Sequence, residues 1–414
     1  MEHTLYFYLA LLWILGWGIF GAMVTPRIYG RKDLDISQAG LAGAATGAAG
    51  GPFTLIPLWY FTPKLDGKWI VVPGVVVAII LVGAFAAADP DNLCVTNGGF
   101  VVTQIVNGLV IGTIYGLMAL GLALIFSILG VVSFAHGEFY MIGGMAVYYL
   151  TAVWFPGLPP LAGVLGAAVL TFVIGFVFDR LFLRAITTGQ VERPGEYAIL
   201  VTFGLAFFLQ YLTLALVGAN PKKVPRFIEY PTINLPSAAD PWLLKMTAGG
   251  ITLFDTISIS SPRITAALIA LILLGLLMWF LYRTWIGKAL RAVSQDRQAA
   301  AVTGINPDTM NTLAFALGAT LAGLAGAALV QVFSWVPWVG TPASARSFVI
   351  IVLGGMGSLP GAFLGGLILG IVEALGAGCV PDPQRAASYI PAYGMIILTL
   401  VLLLKPTGLF GREL

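Results

Sequence analysis

Apolar residues fall in long runs bounded by charge or by clusters of Pro, Gly and Asn, at about 5–24, 40–60, 69–87, 103–129, 139–155, 162–178, 198–217, 264–282, 312–332, 348–375 and 390–404. A helix of about 20 apolar residues crosses about 30 Å of hydrocarbon at 1.5 Å per residue. The pattern therefore predicts an all-α fold, a polytopic membrane helix bundle of about 10 spans that includes interrupted or re-entrant helices. One run carries its own interruption. Gly354-Gly355-Met356-Gly357-Ser358-Leu359-Pro360-Gly361 concentrates glycine around a proline, a composition that breaks a helix. The first run resembles a signal peptide only in length. Glu2 precedes it and Arg27, Arg31 and Lys32 follow it, the reverse of the polarity a cleaved leader needs, so 5–24 is read as a retained span.

Basic residues at the ends of the runs orient them. Arg180, Arg184 and Arg193 fall in one loop, Arg283, Lys288, Arg291 and Arg297 in another, and Lys405 and Arg412 close the chain. All three segments are cytoplasmic if 103–129, 162–178, 264–282 and 390–404 run inward and 348–375 enters and leaves on one side. The polar stretch 219–263 then lies outside, although Lys222, Lys223, Arg226, Lys245 and Arg263 sit in it. For the first 98 residues an outside N-terminus, with 40–60 re-entrant, fits the basic residues better than the inverse.

Composition agrees with a lipid solvent. Only 9% of residues are charged and 59% are hydrophobic, with a mean hydropathy of +0.95, too few charges to cover a water-facing surface. Fifty-one glycines in 414 residues point to close helix packing. A net charge of +3 with no basic stripe gives no reason to expect nucleic acid. Two cysteines and two histidines are too few for a metal cage; no metal and no cofactor is expected. Cys94 and Cys379 both map to outside loops, where an oxidising compartment permits a disulfide.

Several residues within or at the edges of the runs carry chemistry. Ser133-Phe134-Ala135-His136-Gly137-Glu138 puts a histidine and a carboxylate two residues apart at a membrane boundary, where ionisable groups are expensive and usually functional. Two readings stand: both pin a helix end, or either touches the solute. Glu373 faces the bundle interior or reaches water at the interface. Gln104, Asn107 and Tyr115 line the conduit or bond between helices. Gly355 and Gly357 belong to the second of two interrupted segments, around 133–144 and 353–361, and such breaks point to a central path in transporters. Glycines at 112 and 116, at 357, 361 and 365, and at 366 and 370 repeat the spacing that puts small residues on one helix face.

Four ordered blocks then carry a family resemblance: NGLVIGTIYGLMALGLALIFSILGVVSFAHGEFYMIGGMAVYYL from Asn107, GKALRAVSQDRQAAAVTGIN from Gly287, FVIIVLGGMGSLPGAFLGGLILGIVEA from Phe348 and KPTGLFG from Lys405. Together they resemble the permease subunits of branched-chain amino-acid ABC importers, of the LivH type, over about residues 100–412. The resemblance implies a permease domain at 99–414 and leaves 1–98 as an N-terminal extension with two or three apolar segments. It implies a multi-pass protein of the bacterial inner membrane, C-terminus in the cytoplasm, moving branched-chain or other neutral amino acids inward from the periplasm. It also implies partners: two ATP-binding subunits, a second homologous permease and a periplasmic solute-binding protein, besides membrane lipid. Residues 283–311 correspond to the loop that seats in the ATPase, with Arg291, Asp296 and Arg297 as polar contacts. By composition that loop reads as one short amphipathic helix stopped at Gly304-Ile305-Asn306-Pro307.

The chain is not expected to be an enzyme. Gly67-Lys68 is followed by Trp69 and Gly287-Lys288 by Ala289, so there is no phosphate loop, and no H-E-x-x-H pair occurs. A transporter working alone, coupled to an ion gradient, is the competing reading. It needs intramembrane carboxylates, for which only Glu138 and Glu373 qualify.

Overall fold

The computed structural model describes residues 2–31, 39–61, 93–187, 191–231, 233–235, 244–253, 257–379, 386–405 and 407–411. The expected span at 69–87, the basic residues Lys32, Lys64 and Lys68, and Arg412 lie outside them. Seven of the described helices are long and apolar enough to cross a membrane. The chain divides into two compact units, Met1–Val101 with Leu375–Pro406, and Val102–Ala374 with Thr407–Leu414.

In the first unit α1 (Glu2–Arg31) is followed by α2 (Ala39–Gly50) and α3 (Pro52–Phe61). The last two are 12 and 10 residues long, about 18 and 15 Å, so neither spans hydrocarbon alone. They are run 40–60 broken into two short helices. Gly40 lies against Ala22 and Pro26, Gly47 against Trp17, and Gly51, at φ 57°, turns the chain beside Trp13. The chain then returns: Trp59 Nε1 donates to Thr25 Oγ1 at 3.0 Å and the Tyr29 hydroxyl to the Leu58 carbonyl at 3.2 Å. A short α4 (Leu93–Thr96) carries Cys94, which is joined to Cys379 by a disulfide across 285 residues, with Cα atoms 5.4 Å apart.

The second unit is built on α5 (Gly98–Leu129), a 32-residue helix whose stretch from Ile114 to Ile125 is almost wholly buried. The chain after α5 turns back into the bundle as α6 (His136–Tyr148), which a π-helical stretch extends to Trp154. α7 (Pro160–Phe178) is likewise extended to Leu183 and is followed by α8 (Arg184–Thr187) and α9 (Pro194–Val217). The polar excursion, for which no regular structure was expected, holds four short antiparallel strands in the order β1 (Ile233–Leu235), β2 (Leu244–Thr247), β3 (Gly250–Leu253), β4 (Ile257–Ser260). Ile251 faces Ile259 and Leu253 faces Ile257 across the last pair. Backbone bonds of 2.8 Å in both directions tie Lys222 to Trp335 and fasten the start of the excursion to a neighbouring loop.

α10 (Ser261–Arg283) leads to two short helices, α11 (Trp285–Gln295) and α12 (Arg297–Val302), rather than the one expected, and then to α13 (Pro307–Leu329). The break in run 348–375 is real. α14 (Gly340–Gly354) and α15 (Leu359–Gly378) are separated by a turn in which Gly355 and Gly357 have φ of 101° and 84°. They form a hairpin, Gly361 against Gly354 and Gly365 against Ile350. α14 starts eight residues earlier than the apolar run did, because Thr341, Ser344, Arg346 and Ser347 masked its N-terminal half. α16 (Ala386–Leu404) closes the helical series.

Glycine seams join the core helices. A Cβ at Gly366 or Gly370 of α15 would overlap the backbone of Gly116, Gly112 or Gly108 of α5, and one at Gly318 of α13 would lie 2.6 Å from the Gly121 carbonyl of α5. Lipid supplies no hydrophobic drive between helices, so such backbone contact is the source of cohesion. Gly366→Leu is expected to destabilise the protein by about 1–3 kcal/mol or more, while Gly204→Leu, at a position with nothing within 4 Å, leaves the melting temperature in detergent within error of the parent. Peptide mapping after trypsin is expected to show fragments around Cys94 and Cys379 that separate only on reduction.

Candidate functional site

Two groups of polar residues lie within this apolar core and a third forms an exposed loop. The first lies where α6 and α14 begin. Residues 130–135 return the chain to the depth of Met118, whose carbonyl accepts a 2.8 Å hydrogen bond from His136 Nε2; the imidazole is fully buried. Neither His136 nor Glu138 caps its own helix, since Ala135 is the N-cap and makes no side-chain bond. Ser344 Oγ does the bridging instead, accepting from Gly137 N at 2.8 Å and donating to the Phe134 carbonyl at 3.2 Å. The Glu138 carboxylate lies flat on Gly340, the first residue of α14, where an added Cβ would sit 2.5 Å from its carboxyl carbon. A carboxylate there is favoured by the partial positive charge of the helix N-terminus. Ser133 Oγ, His136 Nδ1, Glu138 Oε2 and both amide atoms of Asn311 are buried without a hydrogen bond among the described residues.

The second group joins α5, α14 and α15. The Tyr115 hydroxyl donates to Glu373 Oε2 at 3.0 Å, and Arg346 Nε donates to Glu373 Oε1 at 2.9 Å. The guanidinium also lies 5.5 Å from the centroid of the Tyr115 ring. Glu373 is thus an interior residue, and two of the sequence candidates, Tyr115 and Glu373, are brought together through Arg346, which the sequence reading missed. Its signal was present. The segment Gly340–Ser347 falls outside the apolar run, yet a lone arginine two residues ahead of Phe348-Val349-Ile350-Ile351 is what a paired intramembrane cation looks like.

Other candidates stand apart. Asn107 accepts from Arg263 Nη1 at 3.0 Å and donates to the carbonyls of Thr103 and Ser258 at 3.0 and 3.4 Å. It fastens β4 and the start of α10 to α5, the interhelical bond that was one of its two readings. Gly355 and Gly357 lie about four helical turns from Glu373 along α15. The C-terminal segment covers their turn, Leu409 N and Phe410 N each donating at 2.9 Å to the carbonyls of Leu353 and Gly354.

The third group is the α11–α12 module. Asp296 N-caps α12, accepting from Gln298 N and Ala299 N at 2.8 and 2.9 Å, which is why one expected helix becomes two. Gly304, at φ 90°, ends it, and Asn306 N-caps α13. Arg291 is committed inward, over the Tyr282 ring at 4.4 Å and bonded to the Leu281 carbonyl at 3.1 Å. Arg297 pairs with Asp308 at 3.2 Å on the surface. Residues 294–304 are exposed except for Ala300, and Val302 is 87% exposed. The module thus presents a short helix with an apolar tip and charged flanks.

The fold is thus a polytopic bundle of apolar helices with ion-paired residues inside it, the general form of a membrane transport protein. The chain belongs to the permease components of branched-chain amino acid transport systems, whose family model matches residues 104–405. It is 31% identical over 316 residues to the high-affinity branched-chain amino acid transport system permease protein BraD of Pseudomonas aeruginosa, covering 75% of this chain and 95% of that one. LivH of Escherichia coli is 30% identical over the same length and shares. LivM of Escherichia coli is 27% identical over 279 residues, 63% of this chain and 61% of that one. No solved structure matches. The chain is a multi-pass transport subunit of an ABC importer and not an enzyme; ATP hydrolysis belongs to separate chains.

The Glu138–Gly340 seat is testable by itself. Gly340→Ala is expected to cost about 1–3 kcal/mol, and a double-mutant cycle with Glu138→Ala is expected to recover a coupling of about 0.5–3 kcal/mol, measured by thermal unfolding in detergent. Strict additivity would show that the carboxylate does not rest on that glycine.

Proposed function

We propose that the chain conducts branched-chain or other neutral amino acids from the periplasm to the cytoplasm. In this reading it pairs with a second homologous permease in the bacterial inner membrane, two ATP-binding subunits drive it, and a periplasmic binding protein delivers the solute. What carries the reading is the family match across 104–405, together with relatives named for branched-chain amino acid transport. The match to LivM as well as to LivH supports a pair of related permeases. The Cys94–Cys379 disulfide supports an outside position for both loops, because such bonds persist in oxidising compartments. One crossing by α16 then puts Lys405 and the C-terminus in the cytoplasm.

The same topology puts the α11–α12 module inside, where we read it as the seat for an ATP-binding subunit. The exposed Val302 and Arg297 are its contact residues in this reading, with Asp296, Gly304 and Asn306 shaping it and Arg291 holding it to α10. Residues 1–98 are read as a peripheral addition, since relatives are covered over 95% of their length by 75% of this chain. Asn107, Tyr115, His136, Glu138 and Glu373 are read as walls or struts of the conduit, and Gly355 and Gly357 as the turn that lets α14 and α15 pack as a hairpin along it.

Reconstitution with the partner subunits is expected to give ATP-dependent uptake of labelled leucine that an imposed ion gradient cannot replace; gradient-driven uptake without any ATPase would support the stand-alone transporter instead. Val302→Asp combined with Arg297→Glu is expected to abolish substrate-stimulated ATP hydrolysis while leaving membrane insertion intact. Unchanged stimulation would exclude the module as the seat.

A further inference from the structure

We propose that the Arg346 guanidinium is where the permease recognises the carboxylate of its solute, with Glu373 as its positioning partner; the inference rests on the amino-acid reading above. A guanidinium carries five N–H donors in a planar fork. In this structure one of them is used. Nε donates to Glu373 Oε1 at 2.9 Å, and Glu373 Oε2 is held in turn by the Tyr115 hydroxyl at 3.0 Å. The two terminal nitrogens make no hydrogen bond to any described residue, and neither is among the buried unpartnered atoms. The side chain is 26% exposed where that of Glu373 is 9% exposed. Glu373 and the Tyr115 ring therefore fix the plane of the guanidinium while its end face opens on accessible space.

That space differs from a lipid surface. The exposed residues of α14 ahead of Arg346, Thr341, Pro342 and Ala345, are all short, and the turn after it exposes none. The lipid-type faces of α7, α9 and α10 expose long aliphatic chains such as Leu165, Leu200 and Ile272, at 69%, 72% and 62%. A paired intramembrane cation beside small exposed residues, rather than long aliphatic ones, suits the wall of a conduit.

The charges point to the class of solute. Arg346 and Glu373 cancel, so the empty site is neutral. A bare anion would leave it negative. An amide or urea would leave the fork without the acceptor pair its geometry suits. A zwitterion brings a carboxylate for a bidentate bond to the two terminal nitrogens and an ammonium that restores neutrality. Sites built to bond one group reject analogues that lack it far more strongly than apolar pockets reject a missing methylene.

The test uses the assembled permease and ATPase complex in nanodiscs without binding protein, with tritiated L-leucine binding read by scintillation proximity and L-leucine or L-leucinamide as competitor. The wild-type complex is expected to bind leucine roughly 10- to 100-fold more tightly than the amide, the range for a hydrogen bond to a charged group. Arg346→Lys, which keeps the charge and loses the fork, is expected to bring leucine down to the level of the amide and leave the amide unchanged. A purely structural arginine would not erase that difference. Equal affinities in the wild type, a preference retained in Arg346→Lys, or no leucine binding by the wild type would each overturn the inference. The wild-type comparison needs no variant, so it holds if the lysine form does not assemble. ATP-driven leucine uptake by the complete importer decides the transport reading separately.

Discussion

Everything in the permease unit depends on backbones touching. Helices in lipid gain nothing by hiding apolar side chains from one another, so cohesion comes from contact at short range. α5 makes that contact on two sides, through Gly108, Gly112 and Gly116 with α15 and through Gly121 with Gly318 of α13, and α6 meets α13 where Gly143 lies on Gly323. A side chain at any of these positions would separate the backbones it now joins. The seams also leave α5 almost wholly buried from Ile114 to Ile125, so a polar group beside it gains most from a partner within the protein.

That requirement explains the arrangement of the polar residues. Glu373 is engaged at both carboxylate oxygens, by Tyr115 and by Arg346. His136 uses one ring nitrogen on the Met118 carbonyl, and Glu138 is seated over Gly340 at the start of α14. The contacts of Glu373 with Tyr115 and of Glu138 with Gly340 cross between elements distant in sequence, and that of His136 with Met118 joins consecutive helices. They fix where the short helices α6 and α14, at 13 and 15 residues, begin inside the bundle, which helix length alone would not do.

Much of this architecture was legible because the bilayer imposes a length scale on the sequence. The runs at 103–129, 162–178, 198–217, 264–282, 312–332 and 390–404 became helices whose N-terminal ends lie a few residues further out, since capping residues such as Asn306 and N-terminal prolines such as Pro160, Pro194 and Pro307 are polar or neutral and fall outside an apolar run. The break near Gly355 was legible from glycine and proline together. The small sheet was not, although Ile257-Ser258-Ile259-Ser260 alternates as a half-buried strand does, because stretches of three or four residues are too short to outweigh a polar context. Arg346 was missed for a related reason. Hydropathy discounts a charged residue, whereas in this structure the charge is what joins Tyr115 to Glu373, and only the three-dimensional pairing shows that. In the same way, sequence alone marked Arg291 and Arg297 as equivalent, and geometry divides them into one half-buried strut and one surface contact.

The two ends of the permease unit are linked by the same helices that carry the seams. Asn306 caps α13 within two residues of Gly304, and the Arg297–Asp308 pair ties α12 to the first turn of α13. α13 is closely packed along its length, with Gly318 against α5 and Gly323 and Gly326 against α6. A displacement of the exposed loop therefore cannot be absorbed by loose packing at its junction; close-packed interiors transmit strain rather than damp it. It reaches α6, whose first turn rests through Gly137 and Glu138 on α14, the helix that carries Arg346. The chain of contacts from Val302 to Arg346 is continuous, and under the proposed reading it is the route by which nucleotide-driven movement outside the membrane alters the grip on solute within it.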